Sequence, residues 1–208
     1  MCTECESRLR YIGAVCCMKC GKELTDDNAQ YCFDCERVNH DYTQATAAFV
    51  YNDEIKKSIY AYKYKGKRVY SKWYARKLFE KCGMYLEMWK PDVIVPIPLH
   101  PDRQRKRGYN QAELLANELS ALTGIKVDTN YLLRTKNTKP LKTMDNVGRI
   151  KNLEKAFIVN KNSVKYNKIM LIDDIYTTGA TFDACARVLK SNGAEYVYGI
   201  SLCVGKGI

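Results

Sequence analysis

Residues 169–181, IMLIDDIYTTGAT, restrict the possible folds more than any other stretch of the chain. Ile169, Met170, Leu171 and Ile172 are apolar without alternation, the pattern of a strand buried on both faces inside a parallel sheet. Asp173 and Asp174 follow at the expected carboxyl end of that strand, where open α/β sheets bind their ligands. After Ile175 and Tyr176 come Thr177, Thr178, Gly179, Ala180 and Thr181, a small, hydroxyl-rich turn. An amphipathic segment with Phe182, Cys185, Ala186 and Leu189 on its apolar side continues from there. The order is strand, loop, start of a helix.

A loop of this kind gathers backbone N–H groups, threonine hydroxyls and a positive helix end around an anion, most often phosphate. Two carboxylates close by would repel that phosphate unless they face something else. A vicinal diol and a magnesium ion fit, because the acids accept hydroxyl protons and help to hold a hard cation. A ribose 5-phosphate meets these demands together. The pattern resembles the phosphoribosyl pyrophosphate motif of type I phosphoribosyltransferases. That resemblance implies phosphoribosyl pyrophosphate with magnesium as the ligand. It puts Asp173 and Asp174 on the ribose hydroxyls as candidate catalytic acids, with Thr177, Thr178, Gly179, Ala180 and Thr181 around the 5-phosphate.

Seven of the ten cysteines fall within residues 2–35, mostly as CxxC pairs, a usage that points to metal binding in a reducing compartment. Thiolates two residues apart grip one tetrahedral zinc from a tight turn, and Gly21 after Cys20 relieves that turn. Cys17, Cys20, Cys32 and Cys35 read as one complete four-cysteine site. A segment this polar buries no core of its own, and a structural zinc would supply on the order of 10 kcal/mol of folding energy to it. Cys2 and Cys5 are either half of a second site or idle. An N-terminal Cys2 nucleophile is rejected, because zinc claims the short segment that would have to house it.

The formal net charge of +11 calls for an anionic partner: nucleic acid, phosphorylated metabolites or an acidic membrane surface. Residues 55–77 carry nine Lys or Arg and no acid. Ile55, Ile59 and Tyr62 follow helical spacing toward a core, leaving Lys56, Tyr60 and Lys63 to point elsewhere. Tyrosines interleaved with lysines suit a groove for single-stranded nucleic acid, and equally a solvated helix face. A second basic run, Arg103, Arg105, Lys106 and Arg107, reads as a turn between the strand at 93–97 and a helix at 112–122, and as a further anion site. Residues 38–46 are polar and read as a linker. No uncharged run is long enough to span a membrane and the N-terminus is no signal peptide, so a soluble cytoplasmic protein is expected.

VPIPLHPDRQRKRGYNQAELLA, at residues 95–116, resembles the corresponding stretch of the ComF family. The cysteine pairs, the Tyr62-Lys63-Tyr64-Lys65-Gly66 stretch and the diphosphate-ribose motif occur in that family's order, so the resemblance covers nearly the whole chain. It implies a zinc segment at 1–45 and a type I phosphoribosyltransferase-like domain at 46–208. The fold expected for the latter is three-layer α/β, with a mainly parallel sheet flanked by helices. It also implies a role in DNA uptake during natural competence, with single-stranded DNA and DNA-uptake or recombination proteins as partners. Residues 132–152 resemble the family's ligand-covering loop through Thr138-Lys139-Pro140, Arg149, Asn152 and Ala156-Phe157, with Leu141 where a glutamine is expected. Two classes stay open, a transferase acting on the diphosphate sugar and a nucleic-acid-binding module with a ligand-sensing site.

Overall fold

A computed structural model describes residues 3–135, 153, 156–161 and 164–205. Four strands, β1 (Gln44–Val50), β2 (Val93–Pro96), β5 (Lys168–Tyr176) and β6 (Tyr196–Val204), form one sheet in the order β1-β6-β5-β2. Every neighbouring pair in it is parallel. β3 (Leu132–Arg134) and β4 (Phe157–Val159) pair antiparallel with each other outside this sheet, and two short helices, α1 (Thr3–Ser7) and α2 (Phe33–Arg37), lie in the cysteine-rich segment.

The apolar run of β5 feeds two cores, because successive side chains of a strand face opposite sides. Ile169 and Leu171 pack with α7 (Ala180–Ser191), with β3 and β4, and with Cys17, Cys20 and Cys32. Met170 and Ile172 pack with α3 (Asp53–Tyr64), α4 (Tyr70–Trp89) and α6 (Gln111–Thr123). The sheet is therefore the middle of three layers. Gly199 of β6 lets α7 approach closely, since a Cβ there would run into the ring of Phe182.

β5 runs further than the apolar pattern implies. Asp173 pairs with Ser201, Ile175 with Cys203 and Tyr176 with Val204, so both acids lie within the ladder rather than beyond it. A long neighbouring strand overrides the weak strand preference of aspartate.

The stretch at 38–46 is not a free linker. His40 and Tyr42 are buried, the Thr43 N–H donates to the Val197 carbonyl, and β1 has begun by Gln44. Residues 10–12 run along the outer edge of β1, with Ile12 N–H donating to Ala48 O and Val50 N–H to Arg10 O. The cysteine-rich segment thus covers a sheet edge that would otherwise expose unpaired backbone groups.

The basic run at 103–107 forms a short helix, α5 (Pro101–Arg107), instead of a turn. Pro101 pre-sets its first residue, the His100 ring nitrogen accepts from Asp102 N–H, and Gly108 in the left-handed region ends it. Residues 132–134 of the expected covering loop are strand β3. Lys136, Lys139, Lys142, Arg149, Lys151 and the rest of 136–152 lie outside the described residues, as do Cys2 and the side chain of Cys5. No helix among the described residues is long and apolar enough to cross a membrane.

Candidate functional site

Asp173 and Asp174 are consecutive, yet they meet different neighbours. Asp174 is buried on the side covered by α3, where Lys63 Nζ lies 2.6 Å from its Oδ2. Burial works against the Lys63 ammonium, but Asp174 and then Asp173 outweigh it and hold the Lys63 pKa above its ordinary value. Asp173 accepts the Asp174 N–H at 2.8 Å. Burial and the Asp174 charge push its pKa up to about 7, against the opposing pull of Lys63, the Asp174 N–H and Arg134. The site therefore holds one carboxylate paired with an ammonium group and one whose pKa is raised toward neutrality.

Thr177, Thr178, Gly179, Ala180 and Thr181 wrap with Asp173 around a small cleft of about 20 Å3. Gly179 sits at φ 81°, and a Cβ there would lie 2.6 Å from Tyr176 Oη and 2.9 Å from His40 Cε1. Only glycine satisfies both the backbone angle and the space. The helices α3, α5 and α6 begin with side-chain caps from Asn52, His100 and Asn110, whereas α4 and α7 begin at Val69 and Gly179 without one. Gly179 has no side chain to cap α7, so the positive end of the helix dipole points at the Thr177–Thr181 turn, a placement that suits an anion.

Cys17, Cys20, Cys32 and Cys35 come together with their Sγ atoms all within 4.8 Å of one another. Cys20 and Cys32 Sγ are 3.6 Å apart. In a tetrahedron with Zn–S bonds of about 2.3 Å the sulfurs stand about 3.8 Å apart, so this donor set fits a metal such as zinc. Hydrogen bonds from Cys20 and Cys32 hold Cys17 far below the ordinary thiol value, and those to Cys17 and Cys32 push Cys20 above it.

No family model matches the chain. Competence protein ComFC of Streptococcus pneumoniae is 31% identical over 207 residues, covering 97% of this chain and 86% of that one. The chain belongs to the ComF family. Competence protein F of Haemophilus influenzae is 29% identical over 202 residues, 95% of this chain and 87% of its own. Among solved structures, an adenine phosphoribosyltransferase of Leishmania tarentolae is similar at a TM-score of 0.37 and 14% identity, over 62% of this chain and 71% of that one. A likeness that slight fixes neither fold nor function.

In this ComF protein the two basic runs meet. Tyr60 and Tyr64, on the outer face of α3, are 55% and 59% exposed, with ring centroids 5.1 Å apart. Arg107 of α5 lies over the Tyr64 ring at 5.0 Å and Lys65 over Tyr60 at 6.0 Å. Arg68 covers Tyr109 at 4.6 Å. Residues 64–69 are all exposed. Lys56, Lys57 and Lys77 instead face nearby acids, Asp53, Glu54, and Glu6 with Glu80.

Lys63 does not belong to that outer face, contrary to the sequence reading. It lies four residues after Ile59 and so shares that residue's inward stripe, a periodic signal that its charge masked. His40 and Tyr42, which border the loop from beneath, carry no signal in the sequence, because neither spacing nor composition sets them apart.

Proposed function

We propose that this ComF protein binds phosphoribosyl pyrophosphate with magnesium at the carboxyl end of β5, and single-stranded DNA on the adjoining face of α3 and α5, as part of DNA uptake or processing. The relatives' names, competence proteins, support the biological setting. One observation carries the ligand reading: a pair of carboxylates and the start of α7 flank one Thr-Thr-Gly turn at the carboxyl edge of a parallel sheet. The turn suits the 5-phosphate. The carboxylates suit ribose hydroxyls and a hard cation, and a magnesium ion beside Asp173 would favour its charged form over the proton it otherwise holds. Lys63 is the resident counter-charge of Asp174, so an incoming cation shares or displaces it. The four cysteines are read as a structural zinc site.

Calorimetry of phosphoribosyl pyrophosphate with magnesium tests the site. Replacing both Asp173 and Asp174 by Asn is expected to weaken binding at least tenfold, about 1.4 kcal/mol, through loss of two charge-assisted contacts. Equal affinity in the double variant would remove the ligand from this site.

A further inference from the structure

We infer that His40 and Tyr42 are positioning residues for the phosphate-binding turn, and that through them its affinity depends on the metal held by Cys17, Cys20, Cys32 and Cys35. This rests on the ligand reading above and adds a regulatory link to it.

The contacts form an unbroken path. Within the Cys17-x-x-Cys20 knuckle, Lys19 Nζ donates to the carbonyls of Tyr42 at 2.6 Å and Thr43 at 3.1 Å, and the Lys19 carbonyl accepts from Ala45 N–H at 2.8 Å. The Met18 carbonyl accepts from the Gln44 side chain at 2.8 Å. Gly21 closes the knuckle so tightly against β1 that a Cβ there would come 2.8 Å from Thr46 Cα. The backbone shape of the knuckle, which a bound metal would set, therefore fixes residues 42–45.

That segment in turn holds both ends of the turn at 177–181. On the strand side, the Tyr42 and Tyr176 hydroxyls are 2.7 Å apart, and both rings pack against Phe182. On the helix side, Asp183 in the first turn of α7 receives His40 Nδ1 at 2.8 Å on one oxygen and the Asp41 N–H at 2.8 Å on the other. With a carboxylate opposite, Nδ1 carries the proton. Nε2 of the same ring is buried with no hydrogen-bond partner among the described residues. A fold seldom retains such a group for packing alone, since a buried polar atom without a partner is destabilising. Between the two grips lies Gly179, in contact range of both Tyr176 and His40. Loosening the segment would free the turn to spread.

The test uses the zinc-loaded full chain and calorimetry with phosphoribosyl pyrophosphate and magnesium. His40→Leu is expected to lose at least tenfold in affinity while still holding one zinc. His40→Asn, whose amide can donate in place of Nδ1, is expected to stay within about threefold of the parent. Linkage is reciprocal, so saturating ligand should tighten zinc, measured by equilibrium competition with a chelator, by the factor by which zinc tightens the ligand. Ligand binding by His40→Leu as tight as by the parent, equal weakening in His40→Asn, or zinc affinity indifferent to ligand would each overturn this link alone. A parent that binds no phosphoribosyl pyrophosphate would overturn the ligand reading and the link together.

Discussion

Asp173 and Asp174 differ in role because they differ in surroundings, and the difference should be visible in pH. Asp173 holds its proton more tightly in the folded chain, at about 7, than an unperturbed aspartate does. Its contribution to stability is therefore full below about pH 3.9 and is lost as pH rises through about 7. Binding of a magnesium-bearing ligand runs the other way, since the cation needs the charged carboxylate. Affinity should climb as pH rises toward 7, by up to about tenfold per unit, and level off above it. Calorimetry across that range decides the point: Asp173→Asn should flatten the climb, and a parent already flat would contradict the proton assignment.

At the scale of an element, α3 works on both sides. Ile55, Ile59 and Tyr62 anchor it in the core, Lys63 reaches Asp174, and Tyr60 and Tyr64 face outward beside α5. If that outer face tracks a single strand, Tyr64→Ala should weaken binding by about 1–3 kcal/mol through lost stacking, whatever the base. Lys65→Ala should lower the slope of log affinity against log salt by roughly 0.7, one phosphate contact on a single strand. Lys63→Ala should leave that slope unchanged, because its ammonium serves Asp174. Fluorescence anisotropy of a labelled oligonucleotide at several salt concentrations measures all three, and Tyr64 and Lys65 variants that match the parent would take α3 out of the DNA surface.

For the molecule as a whole, the cysteine cluster belongs to the same buried group as Tyr42, Tyr176, Phe182 and Leu171. Native mass spectrometry should show one tightly held zinc per chain. Cys32→Ser should release it, and because that core is shared, the main unfolding transition should fall in temperature along with the cysteine segment. A main transition that stays in place after zinc loss would mean the segment is an appendage. The shared core argues for one cooperative unit, since Tyr42 cannot leave without uncovering Tyr176.

The sequence by itself determined whatever depends on near neighbours in the chain. The unbroken apolar run at 169–172 dictated a strand buried on both faces, the small, hydroxyl-rich run at 177–181 a turn into α7, and the CxxC spacing the four thiols that meet in one cluster. Helical spacing likewise placed Ile55, Ile59 and Tyr62 inward. Only the tertiary structure decided which distant residues meet. It carried β5 through both acids because β6 runs alongside, set Lys63 on Asp174 across 111 positions of chain (174 − 63), and brought Arg107 over Tyr64. It also turned the polar stretch at 38–46 into the support of the turn at 177–181, His40 meeting Asp183 across 143 residues. A buried charge or polar ring is stable only against the partner that compensates it, and periodicity cannot say which partner the folded chain will bring.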